Sequence, residues 1–114
     1  MAIPPLQKQL AEMQMKKYCE NKIPKEIQDK LKLKFSFRGN SITLFESRPS
    51  YRNPEVWLDL KVAQMRLDNK TMKYSLYCCD RNDKWIHYDF IEPTKELEDL
   101  LDEIEDDPTS IFWG

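Results

Sequence analysis

The sequence predicts an α+β domain in which helices cover one side of an antiparallel sheet. Two helical patterns come first, an alternation of apolar and polar residues fills the middle, and a third helical pattern precedes an aromatic tail. With 114 residues the chain can bury one modest core, so we expect a single domain over residues 1–114. The expected architecture is two N-terminal helices, a meander of about five strands, an acidic C-terminal helix and a docked aromatic tail.

The N-terminal helices are predicted from prolines and apolar spacing. Pro4 and Pro5 open the first helix, where a missing N–H costs nothing, and Pro24 opens a short second one. The residues expected to face the core are Leu6, Leu10 and Met13, widened by Ala11, Met15 and Tyr18, followed by Ile23, Ile27 and Leu31.

The apolar period changes to two at Leu31, which indicates strands. Tight turns and a proline-containing loop divide the alternating region. The predicted strands cover residues 31–38, 41–47, 56–67, 71–79 and 84–91. A change of apolar parity near Ala63 predicts a β-bulge in the third strand.

This alternation predicts a sheet with two different faces. The face toward the helices is expected to carry Leu33, Phe35, Phe37, Ile42, Leu44, Leu58, Leu60, Val62, Met72, Tyr74, Leu76, Ile86, Tyr88 and Phe90. The opposite face is expected to carry Thr43, Phe45, Trp57, Asp59, Lys61, Lys73, Ser75, Tyr77, Trp85, His87 and Asp89. Aromatic residues interleaved with Lys, Asp and His suit ligand recognition, by stacking or by burying a partner strand.

The C-terminal helix is predicted to be capped by Thr94, to bury Leu97, Leu100, Leu101 and Ile104, and to end before Pro108. Its last turn is acidic, which opposes the helix dipole, so nearby basic groups must offset this charge or it serves another purpose. The apolar residues Ile111, Phe112 and Trp113 must dock on the domain or on a partner. The tail is expected either to cover the aromatic sheet face or to leave it open.

Charge is segregated along the chain. Residues 95–107 carry eight acidic residues and one lysine, whereas the remainder holds 17 basic and 12 acidic residues. This asymmetry indicates either a basic face for an anionic partner or internal neutralisation between the two parts. No apolar run is long enough to span a bilayer, and the start lacks a secretory signal. Three cysteines make no disulfide framework, so we expect a cytoplasmic protein without membrane contact.

The candidates for catalysis are His87, Asp89 and Glu46. A carboxylate beside the only histidine could orient it as a general base, although no nucleophile motif stands beside it. The alternative is a hydrogen-bonded structural histidine. Arg48 and Arg52 could hold a phosphate or carboxylate, or one of them pairs with Glu46 and stiffens the loop.

No cofactor is expected, because the chain carries no phosphate-binding loop and no dinucleotide fingerprint. The number of possible zinc ligands would be sufficient for one site, from Cys19, Cys78, Cys79 and His87. Adjacent strand cysteines point to opposite faces, however, and the C-x-x-C spacing of structural zinc sites is missing, so we expect no metal.

Three separated motifs give a family resemblance. They lie in residues 39–49 (GNSxTLFExRP), in residues 80–89 (DRN followed by WxHYD) and in residues 107–114 (DPTxIFWG). In this order they resemble the bacterial family named domain of unknown function 3024, over nearly the full length. The resemblance implies the family's fold and a bacterial or archaeal cytoplasmic setting, but no substrate. Cys78 and Cys79 stand where more aromatic or basic character is expected, which weakens a nucleic-acid interpretation for this member.

Two functional hypotheses follow from these residues. The first is a non-enzymatic binding module that uses Trp57, Tyr77, Trp85 and His87, with Arg48 and Arg52 at the edge; its partner is a protein segment or a single-stranded nucleic acid. The second is a small hydrolase that uses His87, Asp89 and Glu46 on an anionic substrate. A homodimer that hides the aromatic face is a third alternative.

Overall fold

The computed structural model describes residues 2–113 and contains two α-helices and a five-stranded antiparallel sheet. This confirms the α+β class. In chain order the elements are α1 (Pro5–Lys22), a 3-10 helix (Lys25–Ile27), β1 (Lys32–Arg38), β2 (Ser41–Pro49), β3 (Trp57–Asp68), β4 (Lys73–Cys79), β5 (Trp85–His87) and α2 (Leu97–Asp106).

The strands pair in sequence order, so each strand hydrogen-bonds to its neighbours along the chain. Gly39 adopts a φ of 57° in the turn between β1 and β2, a conformation that glycine adopts without steric cost. The predicted bulge lies in β3: the register passes from Leu44 opposite Ala63 to Phe45 opposite Lys61, which leaves Val62 as the extra residue.

The register confirms that the sheet has two faces. Directly paired residues of an antiparallel sheet share a face, so Leu44, Ala63 and Cys78 lie together on the side of the helices. This inner face carries the core of the sheet: Leu33, Ile42, Leu44, Ala63, Met65, Leu67, Tyr74, Leu76 and Cys78 are all buried.

Four residues predicted for the helix-facing side of the sheet are exposed instead. Leu58 and Leu60 are 51% and 53% exposed, although both lie on the inner face by register. They precede the bulge, in the half of β3 that contains no buried residue. Ile86 on the edge strand β5 and Phe90, which follows it, are also exposed. Alternation therefore identified the face and overestimated how much of it the helices cover.

The buried side of α1 was predicted only in part, because Ala11 and Met15 are buried as expected and the leucines are not. Ala11, Met15 and Cys19 recur every fourth residue and pack into the core, because this stripe brings small and flexible side chains close to the sheet. The predicted stripe of Leu6, Leu10 and Met13 lies on the opposite side of the helix and is exposed.

The predicted second N-terminal helix is a single 3-10 turn. Its residue Ile27 is exposed, whereas Ile23 before it is buried. The side-chain amide of Gln28 donates to the carbonyl of Ile23 at 3.0 Å. A segment of three residues is too short for an α-helix, because the first helical turn is costly and too few further hydrogen bonds follow to offset that cost.

The predicted cap of the last helix is displaced. α2 begins at Leu97 with Glu96 as the residue before it, and Thr94 instead accepts a hydrogen bond from the Glu96 N–H and donates to Asp99. The backbone of Thr94 pairs with Tyr74 near the start of β4. β5 is correspondingly shorter than predicted, because the chain leaves the sheet after His87 to reach this bridge.

The C-terminal tail docks against the helices and the inner layer, away from the aromatic sheet face. Phe112 is buried with its ring 5.0 Å from that of Tyr88, and the Trp113 indole N–H donates to the carbonyl of Ile104. Asp107 turns the chain with a φ of 42°, and its carboxylate accepts the backbone N–H groups of Phe112 and Trp113. The alternative in which the tail covers the opposite sheet face is therefore wrong.

Candidate functional site

The candidate site is the outer face, which we define as the strand residues on the side of the sheet turned away from both helices. By register it carries Lys32, Lys34, Ser36, Arg38, Ser41, Thr43, Phe45, Ser47, Trp57, Asp59, Lys61, Gln64, Arg66, Asp68, Lys73, Ser75, Tyr77, Cys79, Trp85 and His87. Neither helix and no part of the tail covers this face within residues 2–113.

Aromatic rings on the outer face are accompanied by cations. The Arg66 guanidinium lies 3.9 Å from the ring centre of Tyr77, and the Tyr77 ring lies 5.2 Å from that of His87. Lys61 approaches the ring of Trp85 at 5.7 Å. At the other end of the face, Lys32 lies 4.9 Å from the ring of Trp57. Each cation is held near an aromatic surface that remains partly accessible.

The outer face has a positive surplus. Among its paired strand residues, six side chains are basic and two, Asp59 and Asp68, are acidic, which leaves four excess positive charges. Asp59 forms an ion pair with Lys34 at 2.9 Å. Hydrogen bonds from Lys34 and Ser47 hold the pKa of Asp59 below its usual range. Lys61 is similarly paired with Asp83, in the turn before β5, at 3.0 Å.

The middle of the outer face is concave. A cleft of ≈ 290 Å³ lies where β3 bulges, and the lining residues include Arg38, Phe45, Lys61 and Trp85. Its floor is polar and shielded, because Thr43 is only 8% exposed. A bulge bends its strand and redirects neighbouring side chains, and here it brings residues on both sides of Val62 to one cleft.

Fixed hydrogen bonds orient the polar groups of this cleft. Gln64 donates through Nε2 to Thr43 Oγ1 at 2.9 Å, and Arg66 Nε donates to Gln64 Oε1 at 2.6 Å. A guanidinium only donates, so Oε1 of Gln64 must face Arg66 and Nε2 must face Thr43. The chain Arg66–Gln64–Thr43 thus runs from the stacked tyrosine to the floor of the cleft.

The residues predicted for recognition divide into two groups. Trp57, Tyr77, Trp85 and His87 share the outer face. Arg48 does not, because it pairs with Leu58 on the inner side of the sheet and bonds to Glu46.

The second arginine of the predicted pair also lies off the face. Arg52 lies in the exposed loop that joins β2 and β3. The two arginines therefore form no joint anion site with the aromatic residues.

The structure does not assemble the predicted hydrolytic site. Glu46 lies on the inner side of the sheet, opposite Leu60, whereas His87 lies on the outer face opposite Tyr77. Asp89 follows β5 and is exposed. The hydrolase hypothesis required Glu46 and His87 around one cleft, and it is wrong in that form.

A family model described as "Domain of unknown function (DUF3024)" matches residues 3–114, essentially the whole chain. The chain belongs to this family. Neither a curated protein nor a solved structure matches it. Membership in the DUF3024 family brings no activity with it, so the function has to be argued from the outer face. None of the helices in residues 2–113 has the length and apolar content needed to cross a lipid bilayer.

Several residues of this DUF3024 domain's outer face were missed as site residues. Among them are Arg66, Gln64 and Arg38, which were not identified from the sequence. Arg66 stacks on Tyr77 and bonds to Gln64, and Gln64 and Arg38 line the cleft. The change of apolar parity at the bulge could have identified Gln64 and Arg66 as outward-facing residues. Once Ala63, Met65 and Leu67 face the core, the intervening Gln64 and Arg66 must face outward.

The three cysteines are separated by the fold. Cys19 and Cys78 are buried, and only Cys79 shares the outer face, opposite Trp85. Burial raises the pKa of the Cys19 thiol to about 12 and also raises that of Cys78. Within residues 2–113, no three side chains of the types that ligate zinc come together as a cluster.

Proposed function

We propose that this chain is a non-enzymatic binding module whose outer face binds single-stranded nucleic acid. The observation that carries the proposal is the repeated pairing of a ring with a cation on one concave, uncovered face with a positive surplus. Single strands offer alternating phosphates and exposed bases, and proteins bind them with basic grooves and aromatic stacking surfaces.

The spacing of the aromatic groups supports a strand rather than a single small ligand. Trp57 lies at the start of β3, whereas Tyr77 and His87 pair at the far side of the sheet, on β4 and β5. Trp85 and the cleft lie between the two. Stacking is worth about 1–3 kcal/mol per base, so several separated rings would provide useful affinity without any sequence motif.

The charge distribution across the molecule supports an oriented polyanion. The helix α2 packs on the inner side and contains six acidic residues and no basic one. The outer face carries the opposite charge, so the field of the domain directs a polyanion toward the rings and away from the helices.

A protein segment is the competing partner. The adjacent Cys78 and Cys79 favour it, because they reduce the aromatic and basic character expected of a nucleic-acid surface. Cys78 faces the core, however, and only Cys79 stands on the outer face, where the family resemblance implies more aromatic or basic character. The charge surplus favours the nucleic acid over an uncharged peptide. The cytoplasmic setting expected from the sequence is compatible with this partner.

The test is a titration with a labelled, mixed-sequence single strand of about 12 nucleotides, followed by anisotropy and by tryptophan fluorescence. Binding is expected to quench the fluorescence, because bases stack on Trp57 and Trp85. A disordered acidic peptide of equal charge is the matched ligand: it would bind weakly through charge and leave the emission unchanged.

The matched protein variants remove one positive charge each. Arg66→Gln removes the cation above Tyr77, whereas Lys25→Gln removes an exposed charge of the 3-10 helix. Only the first is expected to weaken strand binding. Equal affinity for the acidic peptide and the strand, without quenching, would exclude nucleic acid and leave a protein partner as the better explanation.

A further inference from the structure

The cleft at the β3 bulge has more specific chemistry than stacking requires. Its walls are aromatic and basic, from Phe45, Trp85, Arg38 and Lys61. A volume of ≈ 290 Å³ is close to the lower limit of about 300 Å³ for pockets that hold small ligands, which suits one planar base rather than a larger group.

The floor of the cleft presents hydrogen-bond donors. Nε2 of Gln64 uses one of its two hydrogens on Thr43 Oγ1, and the other is left for a ligand. Thr43 Oγ1 accepts that bond, so its own hydroxyl hydrogen can be donated to a ligand. Oε1 of Gln64 is occupied by Arg66, which removes the amide oxygen as an acceptor.

The two donor atoms, Gln64 Nε2 and Thr43 Oγ1, are 2.9 Å apart. This separation fits two adjacent acceptors on the edge of a planar ring. Guanine offers such a pair as O6 and N7, and cytosine offers O2 and N3. Adenine places an amino donor beside N7, and thymine places an N–H between its two carbonyls, so neither base offers two adjacent acceptor atoms to the two donors.

We infer that this cleft is a base-selective pocket that accepts one guanine or cytosine of the bound strand and disfavours adenine and thymine. The inference rests on the proposed function, because the pocket selects a base only if the outer face binds a strand. Arg38 at the rim holds a flanking phosphate, and Trp85 and Phe45 contact the ring.

The test compares homopolymers of cytidine and thymidine of about 12 nucleotides, which have equal charge and similar pyrimidine stacking. The expected result is that the cytidine strand binds about three- to tenfold more tightly, the effect of one hydrogen bond between uncharged groups. Thr43→Val keeps the β-branched shape and removes the hydroxyl, so it is expected to equalise the two affinities. Gln64→Leu is the second variant and has the same expected effect.

The matched control is Thr71→Val, the same chemical change in an exposed turn outside the cleft. It is expected to leave the preference for cytidine unchanged. Circular dichroism and the Trp113 environment report whether each variant is folded, since Trp113 docks on the far side of the sheet.

The outcomes separate this inference from the proposed function. Equal, salt-dependent binding of both homopolymers would overturn the base-selective pocket and leave the proposed function intact. A preference that survives in both Thr43→Val and Gln64→Leu would also overturn the pocket. Failure of both homopolymers to bind the folded wild-type domain would overturn the proposed function together with the pocket.

Discussion

The acidic end of α2 and the outer face of the sheet both combine aromatic and charged side chains. At the end of α2 these side chains form hydrogen bonds with other groups of the same chain. Glu103 accepts a hydrogen bond from Tyr88 at 2.6 Å, and Glu105 accepts one each from Tyr18 and Lys22. Asp107 holds the amides of the tail. These contacts explain why acidic residues stand at the unfavourable end of the helix dipole.

The outer face carries more positive than negative side chains, and at the end of α2 no such excess of positive charge exists. Its cations lie over rings that are partly accessible, and four positive charges exceed its acidic groups. A groove between α1 and α2 has a similar size, ≈ 320 Å³, but Lys17 and Lys22 face Glu98, Asp102 and Glu105 across it. The comparison indicates that one region stabilises the fold and the other is available to a ligand.

The largest expected effect tests the stabilising region. Phe112→Ala removes a buried ring that packs on Tyr88 and is expected to lower the free energy of unfolding by about 3–5 kcal/mol. Urea denaturation measures this change. The neighbouring Ile111→Ala, which truncates a half-exposed side chain, is the control and is expected to have a much smaller effect. Equal losses would mean that the tail does not dock as described.

The second prediction tests the available region. Trp85→Ala is expected to weaken strand binding by about 1–3 kcal/mol, because one stacking surface is lost, while the denaturation midpoint changes little. Tyr51→Ala removes a fully exposed aromatic ring from the β2–β3 loop and serves as the control. A large loss of stability in Trp85→Ala would break the distinction between the two regions.

The third prediction concerns a single carboxylate. Asp107→Ala leaves the N–H groups of Phe112 and Trp113 without their acceptor and is expected to lower the free energy of unfolding by about 1–2 kcal/mol. Asp106→Ala removes an exposed acidic residue one position earlier and is expected to be nearly neutral. Strand affinity should be the same in both variants, measured by anisotropy.

The last prediction is an alkaline loss of stability. Burial raises the pKa of Cys19 to about 12, and burial together with the hydrogen bond to Glu105 raises that of Tyr18. In the unfolded chain these groups ionise near about pH 8.5 and 10. Their contribution is therefore fully present below about pH 8.5 and is lost as the pH rises toward 12. Urea midpoints at pH 7.5 and 10 measure the loss, and Tyr18→Phe with Cys19→Ala should reduce the slope.

The sequence predicted those parts of the fold that depend on local pattern. The period of two, the turn residues and the parity change at Ala63 predicted five strands, two faces and the bulge, because strand alternation is set by the backbone itself. It failed where coverage by a distant element decides burial. Leu58 and Leu60 alternate correctly and are nevertheless exposed, and α1 buries its Ala11 side rather than its leucines.

The candidate site was predicted in part for the same reason. Trp57, Tyr77, Trp85 and His87 share a face because alternation carries over from strand to strand through the register. The Arg66–Gln64–Thr43 chain was missed, since hydrogen bonds between side chains on two strands depend on a register that one sequence does not give. The separation of Glu46 from His87, in contrast, follows from alternation alone, because Glu46 has the parity of Leu44 and His87 lies on the outer face.

The most direct measurement of the central claim is the salt dependence of strand binding. A mixed-sequence single strand is titrated onto the wild-type domain at about 50 and about 200 mM salt. If the surplus of four charges neutralises four phosphates, the affinity is expected to fall roughly fifty-fold between these conditions. An affinity that is unchanged by salt, or no binding at the lower salt, would contradict the assignment of the outer face to nucleic acid.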